Sequence, residues 1–396
     1  MDPCGGTATY KQRQSRSRSC TTNGGLSVNL TPVVVAARRT AIGTAGKAFR
    51  DFTVSDLLAP VLAAVAEDLQ NPQIDDVVIG VARGPGGNIA RVAALQAQLG
   101  LHVPGMTVDR QCGSGLAAIQ VAAALVASGA ATVVLAGGAE SCTHASPGRA
   151  AFAPSDIGDP DMGPAAETVA ENFAISRERQ DALAIRSHEN ALAAAQIVAQ
   201  EIVVVGEQRV DQRPRKLDAK VLARMPAAFT ENGTVTAGNS CGISDGAAAI
   251  AIVPEWLRAE RSLPGLRILG WTAVGVDPRT PGIGPAPAIS QLLGRNGIDL
   301  DQIGAIEIVE AFAAQVLAVT DALGLDPLGR DAHRIAPLGG AIALGHPWGA
   351  SGAMVVVRLF TELLRGGIMP SPRYGLAACA VGGGQGLALL VERVDA

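Results

Sequence analysis

Between Thr31 and Glu392 the chain alternates short apolar runs with longer segments of helical spacing, and glycine-rich turns separate the two. PVVVAA, from Pro32, reads as a buried strand; VSDLLAPVLAAVAEDL, from Val54, reads as a helix with apolar i, i+3, i+4 spacing. DDVVIGVA (Asp75 to Ala82) is the next strand, a glycine-rich segment leads into another helix, and MTVDRQ is a short strand ending at Cys112. From Thr107 to Ser128 (TVDRQCGSGLAAIQVAAALVAS) the chain turns on Gly113 and Gly115 and continues as a helix without a hydrated stripe. Such a helix is expected to be buried all round, and Gly129 reads as its stop. ATVVLAGGAES (Ala131 to Ser141) is again strand plus glycine turn. This alternation predicts βαβ units on a mostly parallel sheet.

The pattern loosens from Cys142 to about Cys241, where polar loops and two helical runs read as a lid-like insertion. Ser176 looks like the N-cap of the second run, and His188 within it reads as part of a solvated helix face. The buried pattern resumes at DGAAAIAIVPEWL (Asp245 to Leu257) and continues through strand, helix, strand and helix to GHPWGASGA and YGLAACAVGGGQGLALLVERV.

The two halves echo one another. CGSG at Cys112 opens an apolar helix, followed by a strand and the turn in VVLAGGAE. GHPWGASGA (Gly345 to Ala353) likewise opens an apolar helix, followed by a strand and CAVGGGQG. This is a repeated unit of over 30 residues. Two such units about a pseudo-twofold would bring both glycine-rich entrances, and so Cys112 and His346, to the middle.

Composition narrows the class. The 396 residues include 47 glycines, with 17% charged and only 3% aromatic, which describes closely packed small side chains. The length suits two large cores or one double-sized domain. A net charge of −4 without a basic run in the body argues against nucleic acid. No uncharged apolar stretch is long enough for a membrane span. The six cysteines show neither CxxC spacing nor a secretory signal, so we expect reduced thiols in a cytoplasmic protein and no metal site. Residues 1–29, with KQRQSRSRSC, are expected to be a disordered extension; their Arg/Ser-rich character is shared with transit peptides, but no amphipathic helix accompanies it.

A thiol at the front of a buried helix feels the positive end of the dipole and unpaired N–H groups, which favour the thiolate. A lone cysteine is otherwise a small buried hydrophobe; the glycine-flanked entrance favours a nucleophile at Cys112. Backbone N–H groups at that entrance and at Gly384 are natural oxyanion donors, because glycine lets the backbone approach a developing negative charge.

From Thr31 to Glu392 the chain resembles the thiolases, the acyl-CoA C-acyltransferases. The resemblance rests on VDRQCGSGLAAIQ, GGAES, TVTAGNSCGISDGAAA, EAFA, GGAIALGHPWGASGA and GGGQG, in that order. It implies a five-layered α/β/α/β/α fold of two similar halves: an N-terminal half over 30–257 with a loop domain at about 142–241, and a C-terminal half over 258–396. It also implies a homodimer or homotetramer, with a coenzyme A thioester as substrate and no permanently bound cofactor. Cys112 would then take the acyl group as a thioester and His346 would be the base that activates it. Ala237, Gly238, Ser240, Met162 and Phe312 match positions on the coenzyme A side.

Several positions depart from that family. Val309 replaces the Asn of Asn-Glu-Ala-Phe, which helps hold an oxyanion-hole water, and valine donates no hydrogen bond. Aligned on GGGQG, Ala380 stands where a second cysteine removes the α-proton of the second acyl-CoA. Cys379 is one residue early, so it reaches the site only through a bulge. Ala336 and Leu338 replace polar residues, and Cys241 stands where a serine is common. Losing one oxyanion donor costs about 2.7–4 kcal/mol in barrier, and losing a general base costs about 10²–10⁴-fold in rate. The expected activity is therefore acyl loading of Cys112 and transfer to a carbon or other acceptor, with poor acetoacetyl-CoA turnover. A decarboxylating ketosynthase-like condensing enzyme and a non-catalytic acyl-CoA-binding subunit are the alternatives.

Overall fold

The computed structural model describes residues 20–21, 27–146, 148–368 and 370–396. The expectation of disorder over residues 1–29 thus falls mostly outside the described residues; within it Cys20–Thr21 pairs antiparallel with Ser27–Val28. The N-terminal half holds strands β1 (Pro32–Thr40), β2 (Asp76–Gly80), β3 (Met106–Val108), β4 (Val134–Ser141) and β5 (Ser244–Pro254). Its helices are α1 (Val54–Asp68), α2 (Ile89–Gln96) and α3 (Ser114–Ala127), with α4 (Met162–Asn172) and α5 (Arg177–Ala193) in the insertion. The C-terminal half holds β6 (Gly265–Gly275), β7 (Ile303–Ile308), β8 (Tyr374–Val381) and β9 (Gln385–Val394), with helices α6 (Pro285–Asn296), α7 (Ala313–Ala322) and α8 (Trp348–Leu364).

One continuous sheet runs in the order β7-β8-β9-β6-β1-β5-β4-β2-β3. It is two copies of one pattern: β1-β5-β4-β2 in the first half corresponds to β6-β9-β8-β7 in the second, and the copies join where Leu266 and Arg267 pair with Val34 and Val33. In this repeat α3 is the counterpart of α8. The sheet is mixed, which corrects the mostly parallel expectation: β2 pairs parallel with β3 and β4, and β7 with β8, whereas β5 and β9 enter antiparallel. The reason is local in the second half, where three glycines turn β8 directly into β9. Gly383 (φ 84) and Gly384 (φ 78) occupy the left-handed region there, which a side chain would strain.

Helices α3 and α8 form the central layer. Val134, Ala136, Ile250 and Ile252 reach them from the first half-sheet, and Leu387, Leu389 and Val391 from the second. The opposite strand faces pack outward, Leu135 and Val253 against α1 and α2, and Leu376 and Leu390 against α6. Burial on both faces explains why these strands read as unbroken apolar runs. The result is the five-layered α/β/α/β/α arrangement. The central pair touches backbone to backbone: a Cβ on Gly352 would lie 2.6 Å from the Leu116 nitrogen. Helix α3 is not buried all round, since Ala124 is exposed and Val121 and Leu125 are half-buried on the same face.

In the insertion, Ser176 caps α5 by accepting from the Arg179 N–H at 3.3 Å. His188 is not on a solvated face. It is 1% exposed, and its Nδ1 accepts the Arg215 N–H at 3.2 Å. The insertion folds over α5 and buries a side that the charge pattern alone leaves open. No helix among the described residues is long and apolar enough to cross a membrane.

Candidate active site

Cys112 sits in a single helical turn, Gln111–Gly113, that runs into α3. Short polar side chains build this entrance. Asp109 accepts the Gln111 N–H at 2.7 Å, and Ser114 Oγ accepts the Arg110 N–H at 2.8 Å while donating to the Gln111 carbonyl at 2.6 Å. They hold Gln111 at φ 46, a strained value for a residue with a side chain. His346 occupies the equivalent place in the second half, two residues before α8. Its N–H donates to the Gly242 carbonyl at 2.9 Å, and Ile243 bridges to it.

Cys112 and His346 line one cavity of about 110 Å³, together with Met162, Phe312, Ala380 and Gly382. It adjoins a wider, open cavity of about 470 Å³ that shares Cys112, Met162, Cys241, Phe312 and Trp348 and also takes in Ser240, Arg83 and Arg149. Ala237 is exposed and Gly238 buried on the adjacent loop, and neither lines either cavity. Ser240 Oγ donates to the Thr236 carbonyl at 2.7 Å. At the glycine turn it is Gly382 that lines the Cys112 cavity and whose N–H bears on the Cys112 sulfur; Gly384 lines neither cavity, and its carbonyl accepts the Val276 N–H at 2.7 Å.

The electrostatics differ from those expected of a dipole-activated thiolate. Burial pushes the Cys112 thiol up to about 12, and the nearby Glu140 carboxylate adds to this; its own N–H and that of Gly382 pull the other way. The resting group is a thiol. Burial pushes His346 down to about 4, so the ring is neutral, and its Nε2 is buried without a hydrogen-bond partner. A neutral acid beside a neutral base suits proton transfer at the moment of attack rather than a preformed ion pair. Glu140 has no sequence signal beyond its place in GGAES. It is fully buried and accepts the N–H groups of Ala82 and Gly349, tying the end of β4 to the start of α8.

The departures from the family pattern take definite places. Strands β8 and β9 pair in unbroken register from Tyr374↔Glu392 to Val381↔Gln385, so no bulge turns Cys379 into the cavity. Cys379 is fully buried against the central layer, with its Sγ 3.3 Å from the Cys112 carbonyl. Ala380 lines the cavity instead. Val309 lines a smaller interior cavity on the Ser351 side of the histidine, with Glu307 and Arg358. Ala336 and Leu338 are buried away from Cys112; Asn190 of α5 donates to the Ala336 carbonyl, and Leu338 packs with Ala194 and Val198. Among the described residues no His, Cys, Asp and Glu grouping could hold a metal ion.

Fold and site together define an acyltransferase built from two pseudo-equivalent halves, with a cysteine and a histidine at matching helix entrances. Comparison with known proteins agrees. Residues 32–256 match the thiolase N-terminal domain family and residues 263–393 the thiolase C-terminal domain family. The putative acetyl-CoA C-acetyltransferase YhfS of Bacillus subtilis is 44% identical over 368 residues, covering 91% of this chain and 98% of that protein. The putative acetyl-CoA C-acetyltransferase VraB of Staphylococcus aureus is 38% identical over 392 residues, covering 91% and 99%. The crystal structure of the Bacillus anthracis acetyl-CoA acetyltransferase superposes with a TM-score of 0.85 at 36% identity, covering 93% of this chain and all of that one. The chain belongs to the thiolase family.

Proposed function

We propose that this thiolase takes an acyl group from coenzyme A onto Cys112 as a thioester, with His346 Nε2 as the base, and passes it to a carbon acceptor. The observation that carries this reading is one cavity in which a neutral thiol, an unpartnered imidazole nitrogen and the Gly382 N–H meet. His346 receives the thiol proton, the sulfur attacks the thioester carbonyl, and the developing oxyanion takes hydrogen bonds from Gly382 and the helix entrance. The wider cavity would hold coenzyme A, with Met162, Phe312 and Ser240 along it and Ala237 and Gly238 on the loop beside it. Acetoacetyl-CoA thiolysis is slow in this reading, because Ala380 brings no proton-transferring group into the cavity.

The same alanine favours a second reading, a decarboxylating condensation in which loss of carbon dioxide makes the carbanion and no base is required. We further place the protein in the cytoplasm as a homodimer. The half-buried Val121 and Leu125 of α3 and the exposed Val92, Leu95 and Met106 near the free β3 edge supply an apolar face for a second copy.

Intact-protein mass spectrometry after incubation with a panel of acyl-CoAs tests the central claim. The expected result is a single acyl adduct, absent in Cys112→Ala; an unmodified protein with every acyl-CoA would leave the non-catalytic reading standing. Parallel assays with 3-ketoacyl-CoA plus coenzyme A, and with a malonyl thioester, separate slow thiolysis from decarboxylating condensation.

A further inference from the structure

The cavity at Cys112 holds three side chains that can exchange a proton: Cys112, His346 and Cys241. The first two are engaged with each other in acyl loading, which leaves Cys241. Its place is fixed from both sides. The Cys241 N–H donates to the Ala311 carbonyl at 3.0 Å, Ser240 bridges to Phe312, and the next residue, Gly242, accepts the His346 N–H. The segment is therefore clamped between the two chain stretches that carry His346 and Phe312, and it presents its sulfur to the space they enclose.

A second observation points to the same spot. The Arg213 guanidinium lies against Gly242, where an added Cβ would fall 2.0 Å from its central carbon, and its stem packs on Gly345. Its Nε is buried without a hydrogen-bond partner. The loop carrying it is pinned by His188, which accepts the Arg215 N–H. A half-buried cation with no ion-pair partner among the described residues thus acts on the Cys241 thiol. Burial holds the Cys241 thiol up at about 12; negative charge on Cys112 pushes the same way, and Arg213 pulls it down. Cys112 is neutral both as the resting thiol and as the acyl thioester, so at neither stage does it add a negative charge against ionisation of Cys241.

We propose that Cys241 is the second acid/base of this enzyme, carrying whatever carbon-acid chemistry survives the alanine at position 380. The proposal rests on the Cys112 acyl-enzyme reading. During loading, His346 takes the Cys112 proton and hands it to the departing coenzyme A thiolate; with a second acyl-CoA in place, the neutral imidazole takes the Cys241 proton as the Cys241 sulfur turns to the α-carbon. That acyl-CoA then gives its α-proton to Cys241. The carbanion attacks the acyl carbon, the bond from that carbon to the Cys112 sulfur breaks, and the released thiolate recovers its proton from His346. Both thiols and the neutral imidazole are restored, and no outside oxidant or reductant enters.

The test is deuterium incorporation into the methyl group of acetyl-CoA in D₂O, read by mass spectrometry beside the intact mass of the enzyme. Wild type is expected to exchange. Cys241→Ala and Cys241→Ser should lose exchange by about 10²-fold or more, the serine because it keeps a hydrogen-bonding hydroxyl but not an ionisable thiol. Arg213→Met should slow it as well. Cys142→Ala, at a free thiol that lines neither cavity, should match wild type. Exchange at the wild-type rate in Cys241→Ala with Cys112 acylated overturns the proposal, as does a wild-type enzyme that acylates fully yet never exchanges. Absence of any Cys112 adduct in wild type overturns the underlying acyl-enzyme reading instead.

Discussion

Ser351 Oγ lies 2.6 Å from His346 Nδ1, and the same hydroxyl donates to the Pro347 carbonyl at 3.0 Å. A hydroxyl has one proton to give. The carbonyl can only accept, so Ser351 spends that proton on Pro347 and accepts from Nδ1–H. The other ring nitrogen, Nε2, is then the one with a free lone pair, and it is the nitrogen without a partner in the protein. A serine one turn into α8 therefore sets the tautomer of the base.

Replacing that serine tests the assignment. Ser351→Ala should slow acylation of Cys112 by roughly fivefold, the rate equivalent of one hydrogen bond of about 1 kcal/mol, and leave the acyl-CoA KM unchanged. Ser351→Thr, which keeps the hydroxyl, should recover most of the loss. Single-turnover acylation followed by quenched mass spectrometry gives both numbers. Equal rates in all three proteins would mean the tautomer is set elsewhere.

The depressed basicity of His346 predicts the shape of the acid limb. A group whose folded value is lowered from 6.5 to about 4 stays neutral as pH falls through 6.5 and gains its proton only near 4. The acylation rate should thus be nearly flat between pH 7.5 and 5.5. An unshifted histidine would already lose about tenfold over that range. A rate profile bending near pH 6.5 would show that water or substrate keeps the ring more polar than its burial implies.

How much of this was written in the sequence depends on the range of the interaction. The repeat was legible because each half buries its own apolar helix behind a glycine-rich entrance, and that repetition sets Cys112 and His346 at matching points of α3 and α8. Glycine spacing also marked the β8–β9 turn, but not which of its glycines lies at the Cys112 cavity: Gly382 lines it and Gly384 does not. His188 misled because α5 is polar by composition, and only the insertion wrapped over it shows which side is covered. Arg213 carried no signal: its importance lies in standing on Gly242, a contact between residues with nothing in common along the chain. The thiol of Cys112 is expected from the helix dipole to ionise readily, whereas in the folded protein burial and Glu140 raise it against the pull of its own N–H and that of Gly382.

The close approach of the central helices makes a stability prediction. Gly352 faces the Leu116 backbone, and a methyl group there would sit 2.6 Å from its nitrogen and 2.9 Å from its Cβ. Alanine favours a helix by about 1 kcal/mol over glycine, so a helix with room to spare would gain from the change. Here neither backbone can yield without shifting the layer that carries both entrances. Gly352→Ala should instead lose about 1–3 kcal/mol from overpacking, read as a lower denaturant midpoint at fixed protein concentration. A stabilised variant would show that the two helices part easily.

Ala380 offers the sharpest change of activity. It lines the cavity on the strand that carries the buried Cys379, and neighbouring residues on a strand face opposite ways, so the thiol already present cannot substitute for a missing one. Ala380→Cys adds a sulfur on the cavity side. It should raise acetoacetyl-CoA thiolysis by about 10²-fold, the lower end of what a positioned acid/base contributes. If Cys241 carries the residual chemistry, the two thiols act in parallel rather than in series. Ala380→Cys should then rescue Cys241→Ala to nearly the rate of Ala380→Cys alone, a non-additivity that a double-mutant cycle reads directly. Purely additive effects would place Cys241 in substrate positioning, and unchanged thiolysis in Ala380→Cys would mean that proton removal does not limit this enzyme.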